Sequence, residues 1–165
     1  KMLKYRKAVF VLPYAKTNSS KRGRVKGIEY LLLKRKLHWK GWEFAKGKIE
    51  SGEGKEQTAK RELKEETGHR ALKIKKFDYS GKYDYDRFFP DRPGFKGQTF
   101  TLYAAHVKKG KVKLDKKEHS GHKWADFSKA SKMLKFPNQK KSLKIVNSWL
   151  KGKRKEKNEI QRNNN

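Results

Sequence analysis

The chain has 165 residues and a formal net charge of +29, and 12% of its residues are aromatic. This length fits one domain with its own core and a short tail, and the aromatic content argues against wholesale disorder. The absence of cysteine excludes a disulfide framework and thiolate metal sites, and no apolar run approaches the roughly 18 residues of a membrane span. We therefore expect a cytoplasmic protein that does not contact a membrane.

The first half of the chain combines short apolar segments with a glycine-rich loop over 47–54. Residues 8–14, 28–36 and 42–46 predict strands because they are short and rich in β-forming side chains. The first segment follows basic residues, as the apolar part of a signal peptide would. It is short, however, and Pro13 interrupts it with no cleavage site, so a strand is the better interpretation.

The period changes at Lys55, where helical spacing predicts a helix that runs to Thr67 and ends at Gly68. One face of this helix gathers three carboxylates at spacings of three and four residues: Glu62, Glu65 and Glu66. Like charges so close repel each other, and a hard divalent cation such as Mg²⁺ or Mn²⁺ would remove the repulsion. Considered alone, the triplet is also typical of an exposed acidic helix face that binds nothing.

The second half is predicted to contain further strands and two helices. These are strands over 71–85, 98–107 and 121–127, a loop over 88–97, and helices from Ser128 to Lys135 and from Pro137 to about Leu150. A hairpin turn near Ser80 and Gly81 is an alternative for the first of these strands, and Ser128 is the expected N-cap of its helix. Residues 151–165 are polar and lack periodicity, which predicts a basic, disordered tail after a single α/β or α+β domain over residues 1–150.

The spacing of the acidic stretch matches a known pattern. From Gly47 it contains five residues, a glutamate, seven residues, Arg-Glu-Leu, one residue, Glu-Glu, one residue and Gly68. This resembles the Nudix box, G-x5-E-x7-R-E-U-x-E-E-x-G-U with U a bulky apolar residue, at eight of nine positions; the ninth is His69. The approach WEFAKGKIESGE, with Ala45 in place of a usual proline, and the closing segment WADFSKASKMLKFPNQKKSLKIV are also similar, so the resemblance covers about residues 5–150.

The resemblance implies an α/β fold, the Nudix αβα sandwich around a mixed β-sheet, and Mg²⁺- or Mn²⁺-dependent hydrolysis of a nucleoside diphosphate linked to another group. The implied metal ligands are four carboxylates and one backbone carbonyl: Glu62, Glu65, Glu66, Glu118 and Gly47. Arg61 completes the implied catalytic set by orienting a carboxylate through a fork-like contact, with Glu53 as its partner and Gly68 closing the motif. The general base is either Glu66 or Glu118.

Glu118 precedes the closing strand, in a position similar to a loop glutamate that supplies an extra metal ligand or base in several Nudix enzymes. A carboxylate opposite the helix would complete a cage for a hard cation. The alternative is an ordinary charged loop residue. The neighbouring His119 and His122 are loop histidines of a kind that is usually incidental.

The base-binding region is less clearly marked. Candidate substrate-binding residues are two lysines beside the box glycine and three aromatic residues after the helix: Lys46, Lys48, Tyr85, Phe88 and Phe89. Rings next to basic side chains suit base stacking and cation–π contacts, although such rings can also simply fill the core. The chain looks most like the diadenosine polyphosphate hydrolase and RNA 5′-pyrophosphohydrolase branches. The first usually has a stacking tyrosine where this chain has Leu102.

Charge leaves a second class of function open. Lysine and arginine total 46 against 17 aspartate and glutamate residues, and such an excess attracts polyanions, more weakly as salt rises. A surface for RNA or ribosome contact would explain it, and so would a lysine-rich solvated surface, which the excess of lysine over arginine favours.

The sequence predicts a pyrophosphohydrolase of a dinucleoside polyphosphate (Ap4A-like) or of an RNA 5′ end. An RNA- or ribosome-associated Nudix-fold binding protein is the alternative. The intact box argues against the alternative, because a fold kept only for binding has no need of clustered carboxylates.

Overall fold

The computed structural model describes residues 2–18 and 26–165 of the chain. Its elements follow in chain order: β1 (Lys4–Asn18), β2 (Lys26–Arg35), β3 (Gly41–Glu43), β4 (Ala45–Lys48), α1 (Lys55–Thr67), β5 (Lys73–Asp84), β6 (Phe95–His106), β7 (His119–Ala125), α2 (Phe127–Met133) and α3 (Pro137–Asn163). The seven strands of this described part form one sheet with the order β3-β2-β1-β6-β5, in which β4 also pairs with β1 and β7 with β2.

Strand β1 forms the centre of the sheet because it pairs with β6 along one edge and with β2 and β4 along the other. The β1–β6 pair is parallel and the remaining pairs are antiparallel, so the sheet is mixed. Successive side chains of β1 face opposite sides of the sheet. Val9 and Val11 pack in one core with Leu63 of α1, and Phe10 and Leu12 pack in a second core with α2 and α3. The predicted αβα sandwich is confirmed.

The single strand predicted over 42–46 is two short strands with different partners. β3 pairs with β2 and β4 pairs with β1, and the side chain of Phe44 is buried between them. The change of partner brings Glu43 and Lys46 together, with 3.1 Å between Oε2 and Nζ. In a continuous strand these two side chains, three residues apart, would face opposite sides of the sheet. The break between β3 and β4 therefore allows them to form an ion pair.

Strand β5 contains no hairpin, so the alternative of a turn near Ser80 is wrong. It pairs with β6 along its length, with a register shift between Lys76 and Ser80. Gly81 permits a close approach of the neighbouring strand, since a Cβ there would lie 2.9 Å from the ring of Phe100. Gly81 is therefore explained by close packing against Phe100 and not by a reversal of the chain.

Two further boundaries differ from the sequence prediction. β6 begins at Phe95, inside the predicted loop over 88–97, and β7 begins at His119. The N-cap of α2 is Asp126 and not Ser128, because the Oδ1 atom of Asp126 accepts a hydrogen bond from the backbone N–H of Lys129 at 2.8 Å. A carboxylate at this position also interacts favourably with the positive end of the helix.

Helix α3 continues to Asn163, whereas the sequence predicted a disordered tail from residue 151. Lysine, arginine, glutamate and glutamine favour helix, and no proline interrupts this segment, so the helix extends without packing. Leu150 is the last buried residue, and no side chain over 151–165 is buried. The proposed domain boundary at residue 150 thus coincides with the end of the packed core. No described helix is long and apolar enough to cross a membrane.

Candidate active site

Helix α1 holds the acidic motif, and glycine ends it. Gly68 adopts a left-handed conformation with φ of 77° and donates its N–H to the carbonyl of Lys64 at 2.9 Å. A residue with a side chain would be strained at this φ. His69 occupies the position where the box has an apolar residue. Its ring is buried, packs edge-on against Trp124, and lies with Nδ1 3.1 Å from the carbonyl oxygen of Thr67.

Arg61 connects the loop before α1 to the helix. Its guanidinium donates two hydrogen bonds to the carboxylate of Glu53, at 2.8 and 2.9 Å, and a third to the carbonyl of Lys48 at 2.8 Å. The predicted fork-like pair is therefore confirmed as a contact. The hydrogen bonds from Arg61 lower the pKa of Glu53 to about 2. The carboxylate consequently stays charged and holds the loop against α1 over the physiological pH range.

The three glutamates of the triplet do not share one environment. Glu66 is 3% exposed and accepts a hydrogen bond from the backbone N–H of Lys46 at 3.1 Å, and Glu62 is 9% exposed. Glu65 has a side chain that is 55% exposed, with Oε2 3.2 Å from the Arg61 guanidinium. Gly47 is required beside Glu62, because a Cβ at this glycine would lie 2.0 Å from the carboxyl carbon of that glutamate.

A small cavity of about 40 Å³, called here the carboxylate cavity, lies where these residues meet. It is lined by Arg6, Arg35, Lys46, Gly47, Glu62, Glu66, Arg92, Gln98 and Glu118. Glu118 enters from the turn before β7, and its Oε2 atom lies 3.3 Å from the guanidinium of Arg35. The cavity therefore gathers four of the five predicted ligands, and Glu65 is the one that does not line it.

The carboxylate cavity suits a divalent cation. Ligand atoms of Glu66, Glu118 and His119 lie within 4.8 Å of one another, and the carboxylate of Glu62 faces the same space. Burial raises the pKa of Glu62 to about 7 despite the opposing effect of Arg61. Burial, followed by the nearby carboxylates of Glu43 and Glu62, also raises the pKa of Glu66. Crowded, buried carboxylates that resist ionisation are stabilised by a cation, so these residues fit Mg²⁺ or Mn²⁺.

A buried charge network beneath this cavity was not predicted from the sequence. Glu43 is 0% exposed, and its carboxylate contacts three basic side chains: Arg35 at 3.3 Å, His119 at 3.3 Å and Lys46 at 3.1 Å. Burial alone would raise the pKa of Glu43, but Lys46, the hydrogen bond with His119 and the charge of Arg35 lower it to about 2. The signal in the sequence was the acidic residue inside the apolar segment WEFA, where an unpaired charge would be unfavourable.

His119 belongs to the interior of the site, whereas His122 does not. The ring of His119 is 1% exposed; Nε2 faces Glu43, and Nδ1 has no hydrogen-bond partner among the described residues. His122 is exposed on β7 and, unlike His119, does not belong to the group of ligand atoms with Glu66 and Glu118. The buried histidine adds a nitrogen donor to the carboxylate set expected from the sequence.

A second cavity of about 430 Å³, called here the aromatic cavity, lies next to the first. Its lining includes rings and polar side chains from β5, the following loop, the β2–β3 connection and the start of α3: His38, Trp39, Tyr83, Asp84, Tyr85, Asp86, Phe89, Phe136, Asn138 and Gln139. Three of the predicted substrate-binding residues line it: Lys46, Tyr85 and Phe89. Phe88 is 66% exposed, and neither Phe88 nor Lys48 lines either cavity.

The loop after β5 is fixed against the β2–β3 connection. The carboxylate of Asp91 lies 3.0 Å from Nε2 of His38, and the His38 ring packs against Phe89. The Arg92 guanidinium lies over the rings of Tyr85 and Phe89, 5.1 and 5.6 Å from their centres. These contacts give the aromatic cavity a preformed wall.

Gln139 supplies an unpaired polar group to this cavity. The residue is 3% exposed, yet the buried Oε1 atom of its side-chain amide accepts no hydrogen bond from the described residues. A buried amide without a partner is unfavourable unless a ligand provides one. The aromatic cavity thus combines ring surfaces with a hydrogen-bonding group.

The two cavities share three basic residues. Arg35, Lys46 and Arg92 each line both of them. Cations at such a junction match a chain of phosphates that runs from an aromatic group toward the carboxylates.

Comparison with known proteins agrees with this geometry. The family model of the NUDIX domain matches residues 4–146. No protein of curated function matches the sequence. The chain is similar to the solved structure of a candidate NUDIX hydrolase from Listeria monocytogenes, with 24% identity, a TM-score of 0.71, and coverage of 88% of this chain and 94% of that one.

Two further solved structures have named substrates. The Ap4A hydrolase of C. elegans, solved as a binary complex, is 25% identical with a TM-score of 0.68, over 89% of this chain and 98% of that one. The dihydroneopterin triphosphate pyrophosphohydrolase of E. coli is 19% identical with a TM-score of 0.64, over 88% of this chain and 97% of that one. The chain belongs to the Nudix family and is a Nudix hydrolase, an enzyme that acts on phosphoanhydride bonds.

Proposed function

We propose that this enzyme hydrolyses a nucleoside diphosphate linked to another group, with a dinucleoside polyphosphate as its first candidate substrate. The observation that carries the proposal is the junction of Arg35, Lys46 and Arg92 between the carboxylate cavity and the aromatic cavity. A nucleoside held among the rings would extend its phosphates past these cations toward the carboxylates. The similarity to the C. elegans Ap4A hydrolase favours this substrate class.

The carboxylate cavity would hold Mg²⁺ or Mn²⁺. The donors would be the carboxylates of Glu62, Glu66 and Glu118, the carbonyl of Gly47 and a ring nitrogen of His119, and Glu65 would join them only by leaving Arg61. When bound, the metal neutralises phosphate charge and lowers the pKa of a coordinated water. Arg61 and Glu53 would keep the end of β4, which carries Gly47, in position, and Glu66 or Glu118 would accept the proton of the attacking water.

The aromatic cavity would bind the nucleoside. Tyr85 and Phe89 offer ring surfaces for stacking, and the amide of Gln139 can exchange two hydrogen bonds with the edge of an adenine base. Leu102 is 0% exposed within the core of the sheet, so this chain has no stacking side chain at that position. Tyr85 and Phe89 would take over that role.

An RNA 5′ end is the second candidate substrate, because the net charge of +29 favours a long polyanion. Both candidates present a base, a ribose and a phosphoanhydride, and both fit the shared junction. A purely binding role at RNA or the ribosome is disfavoured by the preformed carboxylate cavity. A cytoplasmic location, where these substrates occur, is part of the proposal.

A substrate panel tests the proposal. Dinucleoside polyphosphates, nucleoside triphosphates, ADP-ribose and 5′-triphosphate RNA would each be incubated with Mg²⁺, and kcat/KM compared. We expect one class to exceed the others by at least about tenfold and the activity to disappear with a chelator. Absence of hydrolysis across the panel, in protein whose fold is verified by thermal unfolding, would contradict the proposal.

A further inference from the structure

A row of aromatic rings covered by lysines lies outside both cavities, in the seam between β5 and α3. Phe77 and Tyr79 lie on β5 and Trp149 on α3, and the rings of Phe77 and Trp149 pack edge to face with centres 5.4 Å apart. Phe77 is buried, whereas Tyr79 and Trp149 are half-buried and accessible. None of the three lines either cavity.

Exposed lysines lie over each of these rings. Nζ of Lys141 is 5.0 Å from the ring centre of Tyr79, and Nζ of Lys153 is 4.4 Å from that of Trp149. Nζ of Lys75 lies over both Phe77 and Trp149, at 5.4 and 5.5 Å. The seam therefore alternates ring surfaces with mobile cationic groups on long side chains.

The seam is continuous with the aromatic cavity. Tyr83 of β5 and Gln139 of α3 line that cavity, and contacts between the same two elements then proceed from Tyr79 with Lys141 to Phe77 with Trp149. From Gln139 to Lys153 the helix rises by roughly 20 Å. An extended chain that leaves the cavity can follow this path without crossing the body of the domain.

The charge of the seam is not compensated locally. Between residues 137 and 155, α3 contains seven lysines and arginines and no aspartate or glutamate. Lysines outnumber acidic residues in β5 as well, by four to two over residues 73–84. Lysines on an edge strand alone would serve to prevent strand pairing, but that role does not explain a matching basic helix or the half-buried rings beneath it.

We propose that the β5–α3 seam binds a single-stranded nucleic acid whose end reaches the aromatic cavity. Lysines that now lie over the rings would move to the phosphates, and the freed faces of Tyr79 and Trp149 would stack on bases. Every base has a stacking face, so this binding is largely independent of sequence. The inference extends the proposed function, because a strand held in this way would present its 5′ end to the hydrolytic centre.

The test measures binding without turnover. The probe is a fluorescent dodecamer of uridylate with a 5′-hydroxyl, which has no phosphoanhydride, titrated by anisotropy at several salt concentrations. Replacing Lys75, Lys141 and Lys153 together by alanine should weaken binding at least about tenfold at low salt and reduce the salt slope by about 2. The substitution Trp149→Leu, which keeps an apolar side chain, should weaken binding about tenfold with little change in the salt slope.

The matched control removes the same charge elsewhere. Lys111, Lys113 and Lys123 are exposed and make no ring contact or ion pair among the described residues. The backbone N–H of Lys113 bonds to Thr67 of α1, which packs on the other face of the sheet from α3, and Lys123 lies on β7, far from β5 in the sheet order. Their triple replacement by alanine should weaken binding about threefold or less. Thermal unfolding of each variant would verify the fold, and the lysine variant still tests the seam if Trp149→Leu unfolds.

Two results would overturn the inference. One is equal loss of affinity in the seam variant and in the control variant, which would show that charge acts diffusely. The other is equally tight binding of a polyglutamate peptide, which would show that any polyanion is accepted. Binding of a thymidylate dodecamer as well as the RNA would support the inference, since the β5–α3 seam would then bind a single strand through its phosphates and bases without contacting the 2′-hydroxyl. If the protein binds the probe but hydrolyses no substrate of the panel, the proposed function is contradicted while the binding role of the β5–α3 seam still holds.

Discussion

The carboxylate cavity and the aromatic cavity lie side by side but are assembled in different ways. Four of the nine residues that line the carboxylate cavity come from one continuous stretch, in which β4 and α1 bring together Lys46, Gly47, Glu62 and Glu66. The aromatic cavity combines side chains from β5, the next loop, the β2–β3 connection and α3. The first is defined by carboxylates at fixed spacing in the sequence, whereas the second is defined by its shape and by one buried amide oxygen without a partner among the described residues. Under the proposed function, reactivity and recognition would therefore be separable in this fold.

This separation predicts distinct kinetic effects. Substitutions in the carboxylate cavity should lower kcat, because they act on charge that develops in the reaction. Substitutions in the aromatic cavity should raise KM for the nucleotide and leave kcat nearly constant, because they remove binding that is common to the ground and transition states. If substitutions in both cavities changed kcat and KM to the same extent, the two cavities would not have separate roles.

The largest effect is expected for Glu66→Gln. This change removes a buried charge from the proposed metal site and should lower kcat by at least ~10²-fold in steady-state assays with Mg²⁺. Glu65→Gln is the matched comparison, since Glu65 belongs to the same triplet but is largely exposed and contacts Arg61. We expect a smaller loss for Glu65→Gln. Near-normal rates in the Glu66 variant would remove this residue from the metal site.

The next prediction concerns the buried network. Glu43→Gln leaves Arg35 and Lys46 without their buried counter-charge, so the free energy of unfolding should fall by about 3 kcal/mol in urea denaturation. The control is Glu56→Gln, which breaks an exposed pair with Lys60 and should change stability by less than about 1 kcal/mol. Equal stability of the two variants would show that Glu43 does not balance the cations at the junction.

A smaller effect is expected for Gln139→Leu. The leucine keeps the volume of the side chain but cannot bond to a base, so KM for an adenine nucleotide should rise about tenfold with kcat retained. Asn138→Ala, one residue earlier in the same lining, is the matched control and should have a weaker effect. Loss of kcat with unchanged KM would contradict a recognition role.

The smallest effect is expected for the pH dependence of stability. Glu53 has its pKa lowered to about 2 by Arg61, against about 4.3 in the unfolded chain. Its contribution to stability is therefore complete above about pH 4.3 and is lost as the pH falls toward 2. Arg61→Lys cannot form the two-pronged contact, so the slope of stability against pH in this window should flatten, as it should in Glu53→Gln. An unchanged slope in urea titrations would show that the pair is not coupled.

The sequence predicted the features that depend on local spacing. Helix α1, its end at Gly68 and the pairing of Arg61 with Glu53 follow from residues close in the chain, and the structure contains all of them. Burial within the triplet could not be predicted, because Glu65 and Glu66 both lie one helical turn after Glu62, and this spacing does not say which one packs against β4. That depends on the tertiary contact of α1 with Gly47.

Features that join distant segments were missed for the same reason. Glu43 and His119 are 76 residues apart, and they meet because β2 pairs with both β3 and β7. Gln139 is unremarkable in sequence and becomes a candidate base-binding residue only because the start of α3 lies beside β5. The extension of α3 past residue 150 was also missed, since helix without packing leaves no hydrophobic pattern to detect.

The most direct test of the account compares two substrates that differ only in the nucleosides. In the presence of Mg²⁺, kcat/KM would be measured for a diadenosine polyphosphate and for inorganic polyphosphate with the same number of phosphates. If the aromatic cavity holds a nucleoside while the carboxylate cavity cleaves the phosphates, the dinucleotide should be preferred by at least about a hundredfold. Equal values for the two substrates would show that the nucleoside is not recognised and would contradict the account.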